Sequence, residues 1–468
     1  MAMMNIYQNF QLTMEDPASL LFRAIVISTM AIFAFYKKSG WSIGLLRAYR
    51  EGDFVHKLWY MQGKRQSMCK LQISLNGKQH AYMLGDATLI KQLQHMGEKV
   101  ERRSSTPSDM VTSNMLLGSG GGSDHRRMRS AMHGYFRNEI FLSLESQLEK
   151  TVVARIKSAT KTSHGIDLEE FVVSLTVELR LIVLFGVFSD DMSSAFNEKT
   201  KELGNKIMTY LSNPVGYNQL DTSSPQYQSL EREVQSIIES IEEPRDGTTL
   251  HYLHQQQQEG NLSAEEVIEN LILFLVALAP AAVVVWTISH IVHHNYGKDV
   301  QHSELFLRQC LLETMRMTPG VPTMVMRKII SDDVSLDGNP IKRGSFICPW
   351  QTLMNKAENW NNPNKFDPLR WEHVVTSHPK DIHAQILSCP AAKLGSYFPF
   401  GFGKHRCLGM ELALHEMTII LKHVFGQGQT VTIKDNVASN VDKYKWRKHV
   451  YGFPSKSNVA FFHCTKYM

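Results

Sequence analysis

The chain has 468 residues, 43% of them hydrophobic and 20% charged, with 22 Phe and 23 Met; this excludes a disordered or fibrous protein and leaves room to bury a cofactor. Its 50 basic and 45 acidic residues give a net charge of +5, too weak a field to call for a polyanion, and no nucleic-acid partner is expected. The six cysteines are scattered without a CxxC pair, the pattern of reduced thiols rather than of a zinc ribbon or disulfide framework.

Residues 17–36 are apolar apart from Arg23; Glu15 and Asp16 precede them, and Lys37 and Lys38 follow. A bilayer span needs about 20 residues. Arg23 is placed to snorkel to the interface, and the basic flank leaves the rest of the chain in the cytosol. A retained membrane anchor is the expectation, with an amphipathic or buried helix as the alternative. From Val152 to Glu243 apolar residues recur three and four apart, as in LEEFVVSLTVELRLIVLFGVF, which predicts long amphipathic helices. The tract Gln255–Gln258 is predicted as a solvated loop. A further helix opens at Asn261, with Ser263 as its N-cap and Glu265 and Glu266 in its first turn, and runs through LILFLVALAPAAVVVW to His293. Short strands gather between Val321 and Pro349 around a turn at Asp337-Gly338. A last helix, Leu408 to Phe425, follows a glycine-rich loop. The predicted fold is mainly α with small β regions: an N-terminal segment carrying the anchor, 1–38, and one large catalytic domain, 39–468.

The loop FPFGFGKHRCLGMELAL carries the chemistry. Cys407 stands just before a helix, where the dipole and free N–H groups favour a thiolate. Gly401, Gly403 and Gly409 permit tight turns and close approach of the backbone to a flat ligand. Phe400 packs beside such a ligand, and Lys404, His405 and Arg406 add charge suited to an anionic one. A lone thiolate held this way suits haem iron; the alternative is a structural cysteine after a glycine turn.

The pattern Phe400-Gly401-x-Gly403-x-His405-x-Cys407-x-Gly409 resembles the haem-binding signature of the cytochrome P-450 family. Other matches follow in family order. Glu313-x-x-Arg316 resembles the ExxR pair, and Phe366-Asp367-Pro368-Leu369-Arg370 resembles the later segment that completes its ionic network. His125-x-x-x-Arg129 is similar to the C-helix motif that binds a haem propionate, and Arg327 matches the usual propionate-binding arginine. The resemblance implies haem b with Cys407 as axial iron ligand, bordered by Phe400 and held by His125, Arg129, Arg327 and His405. It also implies a buried structural network of Glu313, Arg316 and Arg370, whereas an ordinary surface pair is the plain alternative for the first two. For His125, Arg129 and Arg327 the alternative is a solvated basic face. The implied partners are a lipophilic small-molecule substrate, an NADPH-dependent reductase and a membrane. The implied setting is the endoplasmic reticulum with the catalytic domain facing the cytosol, in secondary metabolism.

One helix departs from the family. Its members usually carry a small residue, a glycine, an acid and a threonine on the distal side of the haem. Aligned through Trp286 and His293, this chain has Ala277 there, Pro280 at the acid position and Ala281 at the threonine position. No Thr or acid occurs from Leu271 to Trp286. Proline kinks the helix, so a distal opening persists while the side-chain proton relay is lost. No catalytic residue is assigned; Ala277, Pro280 and Ala281 are the distal candidates. The stretch from Trp286 to Glu313 is also shorter than usual, which bears on the reductase-facing surface.

Three functions fit this scaffold. The first is a monooxygenase using dioxygen and reductase electrons. The second is a non-oxygenase isomerase, dehydratase or lyase acting on a peroxide or pre-oxidised substrate. The third is a catalytically silent haem-binding protein. Leu271–Val285 predicts an apolar pocket wall suited to a terpenoid, sterol or lipid. Ser104–Gly122 is placed over the pocket with a hinge at Gly118–Gly122, or is a plain flexible loop. Ser345-Phe346-Ile347 either lines the pocket or forms strand core.

Overall fold

The computed structural model describes residues 68–72, 80–102, 115–116, 122–137, 139–161, 166–187, 202–207, 225–321, 327–349, 360–374, 397–426, 429–433 and 461–466. The expected anchor and most of Ser104–Gly122 lie outside the described residues.

Helices begin where the sequence offers caps. Helix α1 (Ala87–His95) starts after Asp86, whose carboxylate accepts from Thr88 N–H at 2.7 Å. Then come α2 (Ser123–Arg137) and α3 (Glu145–Ala159). Helix α4 (Leu168–Phe185), the LEEFVVSLTVELRLIVLF stretch, is capped by Asp167 and closed by Gly186 at φ 69°, whose N–H returns to Ile182 O at 2.8 Å. Helix α5 spans Pro225–Glu239 and α6 spans Thr249–Gln258.

Here the structure corrects the sequence reading. Gln255–Gln258 is the end of α6, not a loop. Thr248 caps that helix through His251 N–H, Leu250 and Leu253 bury one face, and glutamine is a good helix former. Repetition of a polar residue says little where two buried leucines set the phase.

Helix α7 (Ala264–Val276) opens on a capping box, with Ser263 Oγ accepting from Glu266 N–H and the Glu266 carboxylate accepting from Ser263 N–H. Helix α8 (Ala279–His293) continues it after a break. Helices α9 (Gly297–His302), α10 (Glu304–Met317) and α11 (Met410–Val424) follow, and residues 202–207 are helical as well. Almost every residue of α8 is buried, and it packs against α4, α10 and α11 at the centre of the larger core. Its apolarity therefore has a core-packing explanation: Ala264–His293 is the one described stretch long and apolar enough to cross a membrane, and 72% of its most apolar 18 residues are buried.

The strands are β1 (Met68–Gln72), β2 (His80–Leu84), β3 (Val100–Arg102), β4 (Ile166–Asp167), β5 (Arg327–Ile329), β6 (Ser335–Leu336), β7 (Asn339–Pro340), β8 (Phe346–Pro349), β9 (Gln429–Ile433) and β10 (Phe461–Lys466). They form one sheet in the order β1-β2-β8-β5-β3, a second in the order β4-β10-β9, and the β6-β7 hairpin. Asp337 and Gly338 both have positive φ, 51° and 73°, the signature of a type I′ turn, as the Asp-Gly pair predicts. Ile347 lies in the smaller core beside β2, so it serves as strand core. The architecture is mainly helical with small sheets.

Candidate functional site

The glycine-rich loop turns twice before Cys407. Gly401 and Gly403 take φ of 76° and 63°, which only glycine adopts without strain. Gly401 N–H donates to Phe398 O at 2.9 Å, Arg406 N–H to Gly403 O at 3.1 Å, and Cys407 N–H to Phe400 O at 2.7 Å. These bonds hold the Cys407 side chain exposed, ahead of α11, while its neighbours His405 and Leu408 are buried. Phe400 packs against the larger core.

The sequence-selected cations converge on this loop from two other elements, and His405 lies in the loop itself. His125 and Arg129 come from α2. His125 Nε2 lies 3.2 Å from His405 Nδ1, with both rings buried. Arg129 stands in the field of Cys407, Arg406 and Glu411, and burial draws its pKa down. Arg327 comes from β5, 4% exposed, with its guanidinium over the Phe402 ring at 5.7 Å. Burial pushes the Arg327 pKa down to about 10, so the fold has taken a cation out of water at a cost. An anionic group beside it offsets that cost. One exposed sulfur, two partly or wholly buried arginines and two buried histidines gathered around one loop suit a flat dianionic macrocycle carrying a metal. The residues present thus fit haem.

Behind the loop lies a network centred on α10. Glu313 is fully buried and accepts from Arg316 Nε at 2.9 Å and Nη2 at 2.8 Å, one helical turn on. Arg370 Nε reaches Glu313 Oε1 at 3.4 Å. The surface-pair alternative is thereby removed. Asp367, within the segment picked out from the sequence, donates its N–H to Oε1 at 3.0 Å. Sequence reasoning missed two further members: Trp371 Nε1 donates to Glu313 Oε2 at 2.9 Å, and Trp360 lies under the Arg316 guanidinium at 5.2 Å. Trp371 directly follows the Phe366–Arg370 segment, so a donor search along that segment finds it.

The distal candidates lie at the break between α7 and α8. Leu278 N–H donates to Val276 O at 2.9 Å, and Ala277 has φ −77° and ψ 66°, an inverse γ-turn. Pro280 is the cause. It has no N–H to offer Val276 O four residues back, and its ring opposes that carbonyl. Ala281 N–H then bonds Leu278 O at 3.1 Å, which leaves the Ala277 carbonyl without a partner among the described residues. Ala281 is buried, and Ala277 is partly exposed on the face it shares with Leu273 and Phe274. Phe274 meets Phe136 of α2 edge-on at 5.4 Å, and a β-carbon built on Gly409, at the start of α11, would stand 3.6 Å from Phe136 Cε1, so Phe136 lies between the α7 end and the cysteine loop.

The cytochrome P450 family profile matches residues 295–435, from the α8–α9 junction through the cysteine loop to β9. Over 90% of this chain and 96% of the other, the fold superposes on a retinoic acid-bound cyanobacterial CYP120A1 with TM-score 0.68 at 18% identity. Residues 295–435 are thus a cytochrome P450 segment, and the chain as a whole has the P450 fold. Cytochrome P450 93B16 of Glycine max is 35% identical over 119 residues, 25% of this chain and 20% of the soybean protein. Abscisic acid 8′-hydroxylase 2 of Arabidopsis thaliana is 27% identical over 225 residues, 42% of this chain and 43% of that protein. The alignments therefore span less than half the length of these relatives. Haem bound through a cysteine thiolate is the cofactor of P450 proteins.

Proposed function

We propose that the protein is a haem-thiolate monooxygenase that oxidises a lipophilic small molecule, a terpenoid, sterol or lipid, with dioxygen and electrons from an NADPH-dependent reductase. The observation that carries this reading is the convergence of His125, Arg129, Arg327 and His405 on the Cys407 loop, opposite a helix already broken at Ala277. The hydroxylase among its relatives and the retinoic acid-bound neighbour support it. Residues 1–38 are proposed as the anchor segment and 39–468 as the catalytic domain, on the cytosolic face of the endoplasmic reticulum.

Haem, when bound, would supply redox-active iron whose electron richness the Cys407 thiolate would raise. The chain's own residues do the rest. Cys407 Sγ would hold the iron, while His125, Arg129, Arg327 and His405 would hold the propionates. Leu271–Val285 keeps bulk water from the substrate. Pro280 and Ala281 stand where other family members carry an acid and a threonine. With no acid or hydroxyl from Leu271 to Trp286, the Ala277 carbonyl is the preformed acceptor that orients a proton-bearing water or a substrate hydroxyl.

The same missing side chains favour a second reading, a non-oxygenase acting on a peroxide. One experiment separates the two. Ferric haem-loaded protein is mixed with lipid hydroperoxides without air or reductant, then supplied with reductase, NADPH and a lipophilic panel in air. The monooxygenase reading expects inert hydroperoxides and substrate-dependent oxygen uptake, with both the uptake and the reduced carbon monoxide Soret position lost in Cys407→Ala. Rapid anaerobic rearrangement of the hydroperoxides overturns it in favour of the second reading.

A further inference from the structure

Gly320 is buried three residues beyond α10, in the strap Thr318–Val321. A β-carbon built on it stands 2.6 Å from the Ala279 carbonyl oxygen and 3.0 Å from Val283 Cγ2, where ordinary contact begins at 3.4 Å. Backbone meets backbone here, so no rotamer change relieves the clash. A side chain at 320 forces one of the two chains to give by about 0.8 Å, the difference between 3.4 and 2.6 Å.

Which chain gives follows from their bonds. The strap is tied back to α10, with Thr318 N–H and Oγ1 both donating to Thr314 O at 2.7 and 3.2 Å, and α10 is pinned by the Glu313 network. The α7–α8 junction is loose. Between Val276 and Ala281 it is joined by the Leu278–Val276 and Ala281–Leu278 bonds, and the amides of Ala277 and Ala279 have no partner among the described residues. A displacement at Ala279 therefore passes into the junction, between the distal candidates Ala277 and Ala281. It does not pass into α10.

We infer that Gly320 is a positioning residue for the distal pocket: by lacking a β-carbon it lets the strap seat against Ala279 and sets where the α7–α8 break lies over the haem face. This rests on the haem-thiolate reading above, and it predicts that enlarging residue 320 changes ligand fit on the distal side while the thiolate side is untouched.

The test uses ferric haem-loaded protein and two iron-binding probes, imidazole and 1-phenylimidazole, titrated by Soret shift. Gly320→Ala is expected to change the ratio of the two affinities by about tenfold or more, about 1.4 kcal/mol. The reduced carbon monoxide complex should keep the parent's Soret position. Gly297→Ala, whose added β-carbon meets nothing within 4 Å, should keep the parent's ratio. The pair Gly320→Ala with Ala279→Gly, which frees the opposing carbonyl to turn aside, should return the ratio towards the parent's. An unchanged ratio in Gly320→Ala overturns the proposal, and so does a single variant that fails to load haem and is not recovered by the pair. A parent protein without a thiolate-type carbon monoxide spectrum overturns the haem-thiolate reading instead, whatever residue 320 does.

Discussion

Glu416 shows what a single buried carboxylate does to this fold. It lies on α11, fully buried, with Oε2 2.9 Å from Nη2 of Arg180 on α4. The contact is close but poorly directed: neither carboxylate oxygen nor Arg180 Nε has a hydrogen bond among the described residues. Burial pushes the Glu416 carboxyl up to about 7, although Arg180 pulls the other way. An unfolded chain releases that proton near 4.5. Between these values the folded state holds a proton that the unfolded state has lost, so stability from this group is full below 4.5 and drains as pH rises towards 7. Glu416→Gln removes the linkage. Its melting temperature relative to the parent should therefore climb from pH 5 to pH 8, read by thermal unfolding across that range. A difference that stays flat with pH means Glu416 is ionised throughout and the ion pair is stronger than its geometry indicates.

At the scale of the element, the broken distal helix is a consequence of one proline placed in an otherwise continuous apolar pattern. The kink was legible from Pro280, yet its position was not. The chain departs from helical form at Ala277, three residues earlier, because the clash and the missing donor both act on the carbonyl of Val276. Pro280→Ala returns an N–H to that carbonyl and permits one continuous helix. Equilibrium unfolding should then show a gain of about 1–3 kcal/mol, accompanied by weaker imidazole binding as the opening closes. If stability does not rise, packing of the Gly320 strap, and not the proline, holds the break. The capping box at Ser263 and Glu266 was equally readable, being local. Its clamp was not: Arg127 of α2 forks onto the Glu266 carboxylate at 2.5 and 2.9 Å, a pairing across 139 positions that no local pattern announces.

For the whole molecule, the ordered motifs led to the right fold because each marks a residue that many elements share. Cys407, the cation set and the Glu313–Arg316 pair were readable one by one. Gly320 and Trp371 were not, since their meaning lies in a neighbour distant in the chain. Glu313 is where this sharing is densest. It joins α10 to Asp367, Arg370 and Trp371, and through the strap α10 also braces the distal break. Tyr397, at the entrance to the cysteine loop, donates to Leu312 O at 3.1 Å, so the same helix carries both faces of the site. Removing the charge takes the carboxylate away from Arg316, which is fully buried and whose other described contacts include the carbonyls of Pro363 and Lys365 and the Trp360 ring. Breaking one partner of such a pair costs about 3–5 kcal/mol, a large part of the roughly 5–15 kcal/mol that holds a protein folded. Glu313→Gln should accordingly lower the denaturant midpoint by an amount of that order and reduce haem retention with it, whereas Lys365→Ala, which keeps the backbone carbonyl, should do neither. Full haem content in a Glu313→Gln protein of reduced stability would separate the two roles, leaving the network as a brace for the core and removing it from the argument about the site.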